Sequence, residues 1–231
     1  MTDDELRRAV LDANLDTVRH GLVISTFGNA SGIDRNAGRI LIKPSGVAYD
    51  RLTPADMVPC DLDGRSLDNR LRPSSDLATH AVLYRAFADI GGVVHTHSTY
   101  ATIMAQSHRP VPCLGTTHAD YFHGTIPVTR DLTAEEIAQD YVGNTGAVIV
   151  ETFADLDPLA IPAVLVAGHG PFTWGRTPAE AVHNALILEQ VAKMAWHAMV
   201  LNPDPQPISQ ALLDRHFLRK HGAQATYGQD G

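Results

Sequence analysis

The sequence predicts an α/β layered fold of one domain, with a central, largely antiparallel sheet flanked by helices. Three observations carry this. Short apolar runs of strand character are interspersed with helical stretches, but in no strict βαβ order. The 231 residues, 44% of them hydrophobic, suffice for one good-sized core. No Pro/Gly/Ser-rich linker or charge run divides them, so a single domain is expected to span 1–231.

Taken in order, residues 3–20 carry Leu6, Val10, Leu15 and Val18 near helical spacing. Asp3 and Asp4 suit the positive end of that helix, and Gly21 marks its end. Strand-like runs follow at 22–25, 39–42 and 57–61, separated by glycine- or proline-bearing turns. Ser74-Ser75-Asp76 opens a helix reaching Phe87, which Gly91-Gly92 stops. A buried strand is expected over 92–96 and a helix over 99–106. Thr133-Ala-Glu-Glu136 reads as a capping box for a short helix over 133–140, with further apolar strands at 147–150 and 163–166. Pro178 begins a long helix to about Leu201. After a polar break at 202–207, a last helix starts near Ser209.

Charge and composition narrow the function. With 18 Lys+Arg against 26 Asp+Glu the net charge is -8, and no basic stripe invites nucleic acid. A phosphate needs only a local concentration of donors, so it stays open as a ligand. The first residues do not resemble a signal peptide, and no apolar run approaches the roughly 20 residues that span a bilayer. Cys60 and Cys113 form neither a disulfide framework nor a C-x-x-C pair. A cytoplasmic protein with no membrane partner is expected. Nucleotide binding is disfavoured, since neither a Walker loop nor G-x-G-x-x-G is present.

His95-Thr-His97 ends the apolar run GGVVHTH, and residues two apart on a strand share a face. Such a pair alone is as often ordinary as chelating. A third histidine, His169, closes a second apolar run, AVLVAGHG, and shifts the balance toward a metal site. Three protein ligands with an open position and no thiolate mark a catalytic ion rather than a structural one. Imidazoles suit zinc, while manganese or cobalt would also serve. Asp76 is a candidate fourth ligand or nearby base, although SSD by itself reads as an ordinary N-cap. His80, one helical turn on, is expected to pack behind the site.

Gly28-Asn29, Lys43-Pro-Ser45-Gly46 and Ser74-Ser75 each offer what an oxyanion needs, namely exposed backbone N–H groups, hydroxyls and one full positive charge. Singly each is weak, since KPSG is most often a turn.

Together, GNASGID, IKPSGV, RPSSDLATH, VVHTHSTYAT, GTTHADYFHGTIPVTR, VLVAGHGPFTWG and RHFLRKHGAQATYGQ resemble the class II aldolase and epimerase family, on its epimerase side. The resemblance runs from the first helix to Gln229 and implies a class II aldolase-like fold. It implies metal ligation by Asp76, His95, His97 and His169, and substrate contacts from Gly28, Asn29, Lys43, Ser45, Gly46, Ser74, Ser75, Thr116 and His216. It further implies Asp120 and Tyr227 as the acid/base pair. Tyr227 would come from a neighbouring subunit of a ring-shaped homotetramer, with the helix and tail over 208–231 docked at the interface. The implied reaction is metal-dependent interconversion of L-ribulose 5-phosphate and D-xylulose 5-phosphate. Position 4 of a ketopentose is not acidic, so inversion there calls for opening and reclosing the C3–C4 bond. Two alternatives remain: an aldolase that releases dihydroxyacetone phosphate and an aldehyde, and a non-catalytic metal-binding or scaffold protein on the same fold.

Overall fold

The computed structural model describes residues 2–222 and 225–226. Within them the chain runs α1 (Asp3–Arg19), β1 (Asn29–Asp34), β2 (Arg39–Ile42), β3 (Val58–Asp61), α2 (Leu77–Ala86), β4 (Gly92–His95) and α3 (Thr99–Gln106). It continues through α4 (Thr116–Ala119), α5 (Ala134–Thr152), β5 (Ala163–Leu165), β6 (Pro171–Gly175), α6 (Pro178–Leu201) and α7 (Gln210–His221). The six strands form one sheet in the order β3-β2-β1-β4-β6-β5, and every pairing is antiparallel. The expected layered α/β fold is therefore present. No helix among the described residues is long and apolar enough to cross a membrane.

Side-chain alternation along the strands builds a core on each face of the sheet. Ile40, Ile42 and Val93 join the larger core with Leu83 and Tyr84 of α2 and Ile149 of α5. Their sequence neighbours Leu41 and Val94, with Ala30 paired across from Val94, face the other way, toward α1 and α6. Asn14 ties α1 to the sheet: its buried amide donates to Val10 O and Ala30 O and accepts from Ala30 N. On the opposite face a buried polar chain joins β1 to α2, with Ser31 Oγ at 2.8 Å from Tyr84 Oη and 2.7 Å from His80 Nδ1. His80 packs behind the site, as expected.

Two expected strands are not strands. Residues 147–150 lie inside α5, where Val148 and Ile149 are buried. A short apolar run fits a buried helix as well as a strand, and packing on α2 decides the matter. The Thr133 capping box is present, but its helix resumes after a break at Asp140 and runs to Thr152. Residues 22–24 join no sheet, Ile24 is exposed, and Ser25, with φ 57°, enters the turn closed by Phe27 N on Ile24 O. The first strand instead begins at Asn29, in the Asn-, Gly- and Asp-bearing run NASGID, whose composition is poor in strand formers. Strand β6 likewise opens on a proline, a position the ladder tolerates.

Buried histidines outside the three-histidine group, His80 and His118, add to the acid sensitivity of the fold. Burial pushes both His80 and His118 down from 6.5 to about 4, so each is neutral in the folded protein. Below pH 6.5 the unfolded chain takes up protons that the fold refuses. This stability is fully present above about pH 6.5 and is lost as pH falls toward 4, with a limiting slope of about 1.4 kcal/mol per pH unit for each histidine. Urea unfolding of chelator-treated protein between pH 7.5 and 4.5 is expected to show the decline. His118→Asn is expected to flatten it by about one proton, and a pH-independent midpoint across that window contradicts the assignment.

Candidate metal centre

The site grows from the centre of the sheet. His95 is the last residue of β4, paired with Asn29 of β1 on one side and Phe172 of β6 on the other. Its ring stacks on Phe172 with centroids 4.2 Å apart, and its Nδ1 lies 2.9 Å from Pro171 O. A carbonyl only accepts, so Nδ1 carries the proton and Nε2 keeps a free lone pair. Burial holds His95 neutral, at about 3 against an ordinary 6.5. His97 follows just beyond the strand end, and its Nε2 comes within 3.0 Å of His95 Nε2. His169 sits in the tight turn joining β5 to β6, where its N–H bonds Val166 O and Gly168 adopts φ +66°.

The nitrogen ligand atoms of His95, His97 and His169 lie within 4.8 Å of one another. Imidazoles converging this closely, one with its tautomer fixed by a carbonyl, fit a divalent cation bound at about 2.0–2.1 Å. Asp76 stands at the start of α2 without capping it; its Oδ2 accepts from Asn29 Nδ2 at 2.6 Å. Burial opposes its charge, but the neighbouring imidazoles and the Asn29 amide outweigh that and hold the carboxyl below its usual range. It borders the same cleft as the three histidines but does not belong to their close group.

That cleft, of about 380 Å³, is also lined by Gly28, Asn29, Lys43, Ser45, Gly46, Ser74 and Ser75. The anion candidates and the metal candidates thus share one cavity. A bridge between Pro44 and Pro73, with Ser45 N bonded to Arg72 O and Ser74 N to Lys43 O, brings the two loops side by side. Gly46 has φ +69°, a conformation that favours glycine. Lys43 is only 2% exposed, and burial lowers its pKa. Its ammonium lies over the Tyr49 ring and touches Pro44 O at 3.4 Å, with no carboxylate partner among the described residues. A buried ammonium without a counter-ion is costly unless an anion arrives.

Asp120, Thr116 and His216 gather elsewhere, where α4 meets α7, and none of them lines this cleft. Asp120 bonds His216 Nδ1 at 3.0 Å and Arg219 at 3.0 and 3.1 Å, with Lys220 Nζ at 3.6 Å. Burial raises its pKa, but the bonds from Arg219 and His216, with the charges of Lys220 and Arg219, together outweigh that and leave it below the usual range. Tyr227 lies outside the described residues. Sequence reasoning missed Tyr141, whose Oη is 3.4 Å from His169 Nδ1. It lies just past the helix expected over 133–140, and no local pattern in the sequence distinguishes it. Phe27, which stacks on His97 with centroids 6.2 Å apart, is a further neighbour of the cluster.

Equilibrium dialysis against zinc is expected to give one ion per chain. His95→Ala, His97→Ala and His169→Ala should each weaken it by more than about 100-fold, since outer partners of a ligand alone carry 10- to 100-fold. Unchanged binding in all three variants contradicts the centre.

Residues 8–196 match the family described as Class II Aldolase and Adducin N-terminal domain. The L-ribulose-5-phosphate 4-epimerase UlaF of Salmonella paratyphi A is 53% identical over 225 residues, covering 97% of this chain and 99% of that protein. Among solved structures, an L-fuculose 1-phosphate aldolase superposes with a TM-score of 0.77 at 23% identity, over 92% of this chain and 94% of its own. The L-fuculose 1-phosphate aldolase of Glaciozyma antarctica gives 0.75 at 19% identity, over 96% and 84%. At these identities the two structures speak for the fold alone. The matched span, with the near full-length relatives, makes this chain a member of the class II aldolase and adducin N-terminal domain family.

Proposed function

We propose that this protein is a metal-dependent sugar-phosphate epimerase that interconverts L-ribulose 5-phosphate and D-xylulose 5-phosphate. The observation that carries the proposal is one cleft that joins a three-histidine cluster to a buried lysine with no carboxylate partner among the described residues. The 53% identity to L-ribulose-5-phosphate 4-epimerases over nearly the whole chain supplies the substrate. Zinc is the proposed ion, held by His95, His97 and His169 with Asp76 beside them; manganese and cobalt suit the same donors. A homotetramer in the cytoplasm is the proposed context, with the segment over 208–231 at its interfaces.

In this reading Lys43, Ser45, Gly46, Ser74 and Ser75 hold the phosphate on C5, while Gly28 lets backbone approach and Asn29 keeps Asp76 oriented. A bound cation supplies Lewis-acid polarisation of the C2 carbonyl and its neighbouring hydroxyl. A base takes the C4 hydroxyl proton, the C3–C4 bond opens, and its electron pair passes toward the C2 oxygen. The phosphate stays on the two-carbon aldehyde. After that aldehyde turns about its C4–C5 bond, C3 attacks the opposite face and a proton returns to the C4 oxygen.

Proton exchange is thus needed on two faces of one carbonyl, which calls for two groups. Asp120 and Tyr227 are the proposed pair, with Thr116 and His216 beside Asp120. Because the Asp120 cluster does not line the cleft of its own chain, the proposal brings it to the cleft of a neighbouring copy.

The test is conversion of L-ribulose 5-phosphate followed by chiral separation of the pentuloses. Chelation is expected to abolish C4 inversion and zinc to restore it. Lys43→Met should raise KM about 10- to 100-fold through loss of a charge-assisted contact worth about 1.5–3 kcal/mol. Tyr227→Phe should slow turnover far more than it weakens zinc binding. Steady aldehyde release without C4 inversion contradicts the epimerase and supports an aldolase. Chelator-insensitive turnover contradicts the metal.

A further inference from the structure

We infer that Tyr141 is a positioning residue for the metal centre, accepting the Nδ1 proton of His169 so that this imidazole turns Nε2 toward His95 and His97. The inference rests on the metal reading above and assigns a role to the break in α5. Tyr141 Oη is 3.4 Å from His169 Nδ1, and the two rings lie with centroids 6.1 Å apart. An imidazole that ligates through one nitrogen commonly gives its other N–H to an oxygen acceptor, which fixes tautomer and ring orientation. His95 has such an acceptor in Pro171 O. For His169, Tyr141 Oη supplies it.

The chain goes to some length to place that hydroxyl. Asp140 has φ -158° and ψ 80°, which splits α5 in two. Its Oδ1 accepts from Gly143 N at 3.0 Å, as an N-cap does for a new helix, so Tyr141 becomes the first residue of the second half. A side chain at Gly143 would collide with the Asp140 carboxylate. The carbonyl of Glu136, in the turn before the break, accepts from Asn144 Nδ2 at 2.8 Å, which ties the two halves together. The second half is then clamped to α2, the helix that begins beside Asp76. Thr79 Oγ1 donates to Val142 O at 2.6 Å, and Gly146 lets the α2 and α5 backbones approach closely. One rigid pair of helices therefore carries both Asp76 and Tyr141 to the same cluster.

The test measures Zn²⁺ affinity by competition with a chromophoric chelator for the wild-type chain, Tyr141→Phe, His169→Ala and the double variant. Tyr141→Phe is expected to weaken zinc by 10- to 100-fold with an unchanged melting temperature, because the side chain is 42% exposed. In the His169→Ala background the same substitution is expected to change affinity less than about 2-fold, since the two residues act through one ligand. The visible spectrum of the Co²⁺-loaded chain should shift in Tyr141→Phe, a readout that a purely structural role would leave unmoved. Asp140→Ala, which removes the cap, should lower zinc affinity in the same direction. Wild-type affinity in Tyr141→Phe, or an equal loss with and without His169, overturns the inference while leaving the metal centre standing. No zinc uptake by the wild-type chain overturns both.

Discussion

His95 is held on every side, and the site is built around it. Strand β4 lies inside the sheet, so its last residue is hydrogen-bonded into neighbours on both sides, with Phe172 stacked on the ring and Pro171 O fixing its tautomer. A solvent-facing imidazole would exchange protons freely near neutral pH. Burial removes that freedom and keeps a lone pair aimed at one point. The other site residues are placed relative to this strand end. Asn29 is its partner in β1, His97 lies two residues on, and His169 rides the turn that precedes β6.

Antiparallel pairing makes this economical. The start of β1, the end of β4 and the start of β6 meet at one end of the central strands, so three distant segments deliver side chains to one place on rigid elements. The loops carrying Lys43 and Ser74 are bridged to each other at the same cleft. Lys43 stays buried over Tyr49 with no carboxylate partner among the described residues, and in the proposed reading the substrate phosphate would balance its charge.

Most of this was legible in the sequence because strand periodicity speaks for itself. H-x-H at the end of GGVV, a third histidine between glycines, and helices opened by Pro178 or capped by Thr133 all follow local rules. What was not legible depended on packing. The run 147–150 is helical because Val148 and Ile149 bury against α2, and NASGID is a strand because both its neighbours in the sheet demand one. Tyr141 reaches His169 only because Asp140 breaks a helix, an event with no distinct signature in QDYVGN. Asp120 and Thr116 carry no local pattern either; the resemblance alone singled them out, and the structure brings them to His216 rather than to the histidine cluster.

The central claim is that the cleft breaks and remakes a carbon–carbon bond between a three-carbon enediolate and a two-carbon aldehyde phosphate. The most direct measurement incubates the zinc-loaded protein with dihydroxyacetone and glycolaldehyde phosphate and separates the products by configuration. The account predicts pentulose 5-phosphates of both C4 configurations, absent after chelation. Failure to join the two fragments, under conditions in which L-ribulose 5-phosphate is still inverted, contradicts it.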